Sequence, residues 1–198
     1  MSVIVVFVAK TFIPIIGLMA AETYVLRDKL PHIYAISSAF PALELPKAYG
    51  AVIVVNLVIS GLFLVYMGTL VGGARTKFIE KALKDGDKDA EARYSYPKMY
   101  AEGFSNDAKL FNCVQRGHQH ALETYTQFVA LSLVGGLKYP VTTLAGGLLW
   151  HLARSLWAEG YKTGEPSKRY QSWMAYGIWT SIIILMSATI GTAASIMM

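Results

Sequence analysis

Long uncharged hydrophobic runs alternate with polar segments along this chain of 198 residues. Residues 51–71 contain no charged side chain, and residues 171–198 contain none either. A helix of about 20 apolar residues is long enough to cross the hydrocarbon core of a bilayer. These two runs therefore predict membrane-spanning helices, and they exclude a soluble globular domain.

Two further runs have the length of a span but are more polar. Residues 110–136 begin with a polar half, and residues 141–160 follow after a tight turn. A second turn at residues 163–166 contains glycine and proline and predicts the end of the third helix. The fourth span is expected over residues 172–196. Together the runs predict an all-α integral membrane four-helix bundle, in which short turns join antiparallel neighbours.

An extra N-terminal hydrophobic segment precedes this bundle. Residues 3–21 are apolar, but a lysine and a proline interrupt the run. The pattern is compatible with an extra membrane helix, a signal or targeting segment, or a helix lying in the membrane interface. Residues 22–46 contain three prolines and predict a linker. We therefore divide the chain into an N-terminal segment, residues 1–46, and a membrane domain, residues 47–198.

The positive charges predict which side of the membrane each loop faces. Charged residues make up 16% of the chain and the net charge is +5. The basic residues flank apolar runs, which favours contact with membrane lipid and gives no reason to expect nucleic acid as a partner. Residues 75–109 contain eight lysines and arginines, and residues 162–169 contain three. Both loops are expected to face the cytosol, because positively charged loops stay on that side.

The second and third spans each carry a polar or aromatic stripe. Four residues of the second span share one helical face, whereas His118 points to nearly the opposite side; the four are Arg116, His120, Glu123 and Gln127. The third span has the same spacing in Trp150, Arg154, Trp157 and Tyr161. Ionisable residues inside a span are costly and indicate a functional site by default. The two stripes predict a pocket for an anionic, partly polar ligand.

Structural roles are the alternative for the same residues. Arg116 and Glu123 can pair simply to hold helices together, and Arg154 can extend towards lipid head groups. Metal binding is not predicted, because His118 and a histidine two residues later cannot chelate one ion from a single helix face. The only cysteine, Cys113, lies off the polar stripe and is expected to be a buried small residue.

Three motifs carry a resemblance to a known family. Residues 111–118 read Phe-Asn-Cys-Val-Gln-Arg-Gly-His and are followed by Glu123. Residues 96–100 read Tyr-Pro-Lys-Met-Tyr, and residues 160–169 read Gly-Tyr-Lys-Thr-Gly-Glu-Pro-Ser-Lys-Arg. Together they resemble the membrane-associated proteins in eicosanoid and glutathione metabolism (MAPEG), and within them the type 3 microsomal glutathione S-transferases. The resemblance extends from Lys47 to the C-terminus.

This resemblance implies a homotrimer of four-helix subunits that binds glutathione between neighbours near the cytosolic face. The implied activity is that of a microsomal glutathione S-transferase and glutathione-dependent peroxidase, with glutathione as co-substrate. A lipophilic electrophile or a lipid hydroperoxide is the implied second substrate. The implied location is the endoplasmic reticulum, with the outer mitochondrial membrane or a plastid-associated membrane as alternatives. A non-enzymatic lipid-binding or scaffold member of the family is the alternative function.

By position, several residues resemble the glutathione contacts of the family. Arg116 and Glu123 resemble the residues that hold the glutathione carboxylate and the γ-glutamyl amine. Arg75 resembles a basic residue that the adjoining subunit contributes, and His118 resembles a position that faces the neighbour. Tyr161 matches the tyrosine of the third motif.

Arg169 resembles the arginine that stabilises the glutathione thiolate in the family. Arginine is always protonated, and a nearby positive charge lowers the pKa of a thiol. The fourth helix is expected to start beside Arg169, so that its N-terminal dipole adds to this effect. Two positions depart from the family pattern: His120 stands where asparagine is usual, and Trp157 stands where tyrosine is common. Both side chains can still donate a hydrogen bond to the ligand.

Overall fold

Five long helices account for most of the computed structural model, which describes residues 3–39 and 41–198. In chain order they are α1 (Val3–Ala21), α2 (Ser60–Lys84), α3 (Asn106–Lys138), α4 (Pro140–Lys162) and α5 (Gly177–Met197). Within the described residues, extended pairing is limited to one isolated antiparallel bridge between Ile36 and Pro46. The all-α prediction is confirmed.

Two helices of the described residues are long and apolar enough to cross a membrane. One is Tyr49–Lys84, in which the segments Tyr49–Val52 and Ile53–Ile59, the latter π-helical, lead into α2. The other is Trp173–Met197, in which a 3₁₀ turn leads into α5. Helices α3 and α4 contain 33 and 23 residues, so they have sufficient length, although their side chains are more polar. The helices predicted in these two regions are present, while their crossing of the membrane stays a prediction.

The chain forms two compact units. The first comprises Met1–Ser60, Thr126–His151 and Gly177–Met198, and the second comprises Gly61–Tyr125 and Leu152–Tyr176. The domain boundary predicted after residue 46 lies inside the first unit and stays a prediction.

In the first unit, a buried carboxylate joins the N-terminal segment to the start of α4. Glu22 is fully buried and accepts hydrogen bonds from the backbone N–H groups of Val141, at 2.9 Å, and Thr142, at 2.7 Å. The Thr142 hydroxyl donates a third, at 2.6 Å. The Tyr34 hydroxyl donates to Glu22 at 3.2 Å, and burial together with the Glu22 charge raises the pKa of this phenol. Because the first N–H groups of a helix lack intrahelical acceptors, Glu22 acts as the cap of α4.

The same N-terminal segment contacts two other helices of this unit. Arg27 donates a hydrogen bond of 2.6 Å to the carbonyl of Lys138, the last residue of α3. Helix α1 lies against α5 at Gly191, where a β-carbon would stand only 2.6 Å from Met19 Cε. Residues 22–34, predicted as a linker, are therefore mostly helical. Local sequence gave no sign of this order, because the partners of these side chains lie more than 100 residues away.

A polar contact is buried among the helices of the first unit. The Asn56 amide donates to the Ser132 hydroxyl at 3.0 Å and to the Thr143 carbonyl at 3.2 Å. Gly147 makes room for this amide, since a β-carbon there would overlap it. Hydrogen bonds of this kind hold packed helices in one register.

Candidate functional site

A cavity of about 390 Å³ in the second unit contains two of the predicted site residues, Arg116 and Tyr161. Helix α3 also contributes Lys109, Asn112 and Gln115, so the wall combines positive charge with amide groups. The volume lies within the range of roughly 300–1,000 Å³ that is usual for small-molecule sites. This lining suits an anionic, partly polar ligand, while a pocket lined by both complete stripes stays a prediction.

Arg116 and Glu123 form an ion pair on α3, with Nη1 and Oε1 separated by 2.5 Å. Their side chains keep 41% and 50% of their exposure. An ion pair facing hydrocarbon is costly, so this face of α3 requires water, a polar ligand or another subunit against it. The guanidinium has five N–H donors and this bond uses one, so the pair is compatible with ligand binding as well as with the structural alternative.

The ring of Tyr161 packs against that of Trp157, which in turn stacks on His120. The rings of His120 and Trp157 are nearly parallel, with centroids 4.5 Å apart, and the Trp157 and Tyr161 centroids are also separated by 4.5 Å. Tyr161 reaches the cavity, whereas Trp157 is buried and is not part of the cavity wall. His120 is likewise not part of the wall. Direct ligand contact by His120 and Trp157 therefore stays a prediction, and the structure gives both a supporting role.

Arg154 holds the far end of this stack; the sequence placed it on the stripe of the third span but not among the expected glutathione contacts. It is 1% exposed, its Nη1 lies 2.5 Å from His120 Nδ1, and its Nη2 donates to the Thr124 hydroxyl. Because a guanidinium can only donate, His120 Nδ1 must be an acceptor and the imidazole must be neutral. The stripe spacing placed Arg154 beside Trp157 and Tyr161, but the sequence did not show that it is buried.

Arg169 does not line the cavity, and it lies in a 3₁₀ turn formed by Pro166–Tyr170. Its guanidinium donates to the Pro166 carbonyl at 2.6 Å and lies 5.8 Å from the centroid of the Tyr161 ring. Both contact residues line the cavity. The expected support from a helix dipole was wrong, because α5 begins only at Gly177, after two 3₁₀ turns.

Gly160 permits this turn to lie directly on α4. A β-carbon at position 160 would overlap the carbonyl oxygen of Lys168 and would stand 2.8 Å from Arg169 Cα. Gly164, with φ of +80°, reverses the chain between α4 and the turn. The glycines of the third motif therefore determine where Arg169 is placed.

Arg75 and His118 line a different cavity of the second unit, about 230 Å³ in volume. Neither residue lines the cavity around Arg116 within one chain. This agrees with the predicted divergence of His118 from the stripe that contains Arg116. Arg75 is 4% exposed and donates to the carbonyls of Tyr94, at 2.6 Å, and Lys98, at 2.7 Å.

These bonds fix the loop that carries the Tyr-Pro-Lys-Met-Tyr motif. Arg75 holds its middle at Lys98, and the Asn112 amide holds the backbone of Ala101 through bonds of 2.7 Å and 2.9 Å. Two residues between these points, Met99 and Tyr100, line the Arg116 cavity. The sequence did not identify Asn112 as a positioning residue, although it lies within the motif at residues 111–118.

The chain matches the model of a known protein family. The model of the MAPEG family matches residues 53–190, more than half of the chain and a range that includes every predicted site residue. No solved structure gives a significant match to the chain.

Proposed function

The chain belongs to the MAPEG family, and on this premise we propose that it is a glutathione S-transferase that also has glutathione-dependent peroxidase activity. The family supports a role in glutathione or eicosanoid metabolism in general. The observation that carries the finer proposal is the position of two arginines around one cavity, whose wall includes basic and amide side chains among apolar ones. Arg116 lines it, and Arg169 contacts two of its wall residues, Tyr161 and Pro166.

Glutathione fits the charges in and beside this cavity, because Arg116 lines the wall and Glu123, outside the wall, pairs with it. Its carboxylates are matched by guanidinium groups, which bind carboxylates through paired N–H donors, and its amine is matched by a carboxylate. We assign the carboxylate of the γ-glutamyl unit to Arg116 and the amine to Glu123. The two residues already lie together, so one amino acid head group can engage both.

Arg169 supplies the positive charge for the chemical step. A free thiol has a pKa of about 8.5, and a nearby guanidinium lowers it, so that more glutathione is present as thiolate at neutral pH. With a lipophilic electrophile, the thiolate sulfur bonds to carbon and the leaving group departs with its electron pair. With a lipid hydroperoxide, sulfur attacks the distal oxygen and releases the alkoxide, which takes up a proton to become the alcohol. A second glutathione then displaces hydroxide from the sulfenic acid, giving glutathione disulfide and water.

The proposal includes a homotrimer in the endoplasmic reticulum membrane, with glutathione between adjacent subunits. The open face of the Arg116–Glu123 pair supports a neighbour at this position. In such an assembly, Arg75 and His118 of one subunit face the glutathione bound by the next. The outer mitochondrial membrane and a plastid-associated membrane are the alternative locations.

A lipid-binding scaffold is the second candidate function. It is favoured by the contacts that the polar residues already make: Arg116 pairs with Glu123, and His120 accepts from Arg154. In this function the cavity holds a lipid and no thiolate forms.

Calorimetry on the detergent-purified protein distinguishes the two functions. Titration with glutathione at neutral pH, in two buffers with different ionisation enthalpies, measures both affinity and proton release. Binding with release of a proton, together with turnover of chlorodinitrobenzene or a lipid hydroperoxide, is the expected result. S-methyl glutathione is the matched control, because it binds without a proton to lose. Absence of glutathione binding in a protein that still binds lipid would favour the scaffold.

A further inference from the structure

An apolar cavity of about 360 Å³ lies in the first unit. It shares no wall residue with the cavities around Arg116 and Arg75. Most of its wall is apolar and includes Ile33, Ala51 and Leu144, whereas two side chains are basic, His32 and Lys47. Its volume is in the range of small-molecule sites. An apolar wall with basic groups is the combination that accommodates an amphiphile with a negative head group.

Backbone hydrogen bonds build one side of this cavity. Lys47 donates to the carbonyl of Ala35 at 2.9 Å, and Ala48 donates to the carbonyl of Ile33 at 2.7 Å. The two bonds fold the N-terminal segment back on itself, so that the backbone near His32 lies beside the backbone at Lys47. The two basic residues therefore belong to a backbone framework that is fixed before any ligand binds.

The first turn of α4 forms the other side, through Pro140 and Val141. Glu22 fixes this turn, because its buried carboxylate accepts the Val141 N–H. The cavity therefore depends on the N-terminal segment twice, once for its wall and once for the cap that positions α4.

The basic and apolar residues are arranged along the expected membrane depth. Lys47 stands two residues before the apolar helix Tyr49–Lys84, at the level where a span meets the head groups. Ala51 lies inside that helix, and Leu144 lies one turn inside α4. Cationic side chains at the membrane surface attract anionic lipid, and apolar side chains below them contact acyl chains.

We propose that this cavity binds an amphiphile composed of an acyl chain and an anionic head group. The head group lies beside Lys47 and His32, and the chain lies along Ala51 and Leu144. A free fatty acid and an anionic phospholipid both have this chemistry. The site is independent of glutathione, since none of its residues belongs to the proposed catalytic site.

Lipid binding to the full-length protein in a neutral detergent tests the proposal. Native mass spectrometry measures the binding of oleic acid, dioleoyl phosphatidic acid and, as the zwitterionic control, dioleoyl phosphatidylcholine. We expect the double variant His32→Gln/Lys47→Gln to weaken anionic binding by about fivefold or more, given roughly 1 kcal/mol for a lysine beside an anionic head group. The matched control Lys29→Gln removes an exposed charge of the same segment that does not line the cavity, and it should leave binding unchanged.

A second variant tests the position of the acyl chain. Ala51→Phe places a ring in the cavity from an exposed position and leaves both basic residues intact, so it should reduce binding of either anionic amphiphile while retaining the helical content. Binding of only oleic acid, or of only phosphatidic acid, supports the site and identifies the source of its ligand. Equal binding of phosphatidylcholine, or anionic binding that neither variant weakens, overturns the proposal.

Discussion

Gly160 and Lys168 lie so close together that the carbonyl oxygen of Lys168 occupies the space that a side chain at position 160 would need. The 3₁₀ turn that contains Arg169 therefore rests on bare backbone of α4. The position of Arg169, the proposed thiolate-stabilising residue, therefore depends on the absence of a side chain nine residues earlier.

Gly160→Ala should displace this turn and lower kcat, whereas glutathione should still bind. A misplacement of about 1 Å can cost as much as about 100-fold in rate. Steady-state kinetics combined with calorimetry separate the two effects. Gly73→Ala is the matched control, because a β-carbon on that helix meets nothing within 4 Å. Full activity of Gly160→Ala would show that the turn does not position the reacting sulfur.

Arg169→Ala should lower turnover by about 10²–10³-fold, the usual loss when one positioned donor is removed from a developing anion. Proton release on glutathione binding should fall with it, because less thiolate forms. Lys168→Ala serves as the control, since Lys168 pairs with Glu165 on the exposed side of the same turn. The reverse result, in which only Lys168→Ala loses activity, would transfer the role to Lys168.

Arg116→Gln and Glu123→Gln should each raise the glutathione dissociation constant by about tenfold or more, the loss expected when a charged hydrogen bond worth about 1.5–3 kcal/mol is removed. The exchanged variant Arg116→Glu/Glu123→Arg restores the ion pair but inverts its arrangement, so glutathione binding should stay weak. Isothermal titration of all three variants provides the comparison. Recovery of binding in the exchanged variant would mean that the two residues only stabilise the structure through their ion pair and do not contact glutathione.

His120→Asn should retain the fold and glutathione binding, because an amide oxygen can accept the hydrogen bond from Arg154 that the imidazole accepts. His120→Leu should destabilise the protein by about 1–3 kcal/mol, since a buried donor loses its partner. Detergent-titrated unfolding measures both variants. Equal stability of the two would contradict a structural role for this hydrogen bond.

Glu22→Ala should lower the free energy of unfolding by about 3 kcal/mol, because it removes the cap of α4 and leaves buried donors unsatisfied. Asp28→Ala is the control, as an exposed acidic residue of the same segment. Unfolding in sodium dodecyl sulfate, followed by circular dichroism, measures the difference. An unaltered unfolding midpoint in Glu22→Ala would indicate that the N-terminal segment contributes little to the first unit.

The parts of the fold that were predictable are those in which the determining pattern is local. The uncharged run at residues 51–71 lies within a single helix, and Arg116 and Glu123 lie within a single other helix. The structure contains both that first helix and the ion pair. The turn after α4 was also predictable, because Gly164 and Pro166 restrict the backbone wherever they occur.

The features that the sequence did not predict depend mostly on contacts between residues that are distant in the sequence. Glu22 looked like a linker residue because its hydrogen-bond donors are at positions 141 and 142. The sequence allowed Arg154 to extend towards lipid head groups. The structure buries it instead, with a hydrogen bond to His120 on another helix. The fourth span, predicted over residues 172–196, agrees with the apolar helix Trp173–Met197, but the sequence did not show that its first four residues form a 3₁₀ turn.

The buried amide of Asn56 has a consequence for biogenesis. Asn56 is the one strongly polar side chain of an otherwise apolar run, and both of its hydrogen-bond partners, Ser132 and Thr143, are synthesised more than 70 residues later. The first span therefore enters the bilayer with an unsatisfied amide, at a cost that is recovered only when the later helices arrive. A chain that stalls or is truncated before α3 contains neither Ser132 nor Thr143, so this amide stays without these partners. The hydrogen bonds that align the finished helices therefore also distinguish a complete subunit, in which this amide is bonded, from an unfinished one, in which it is not.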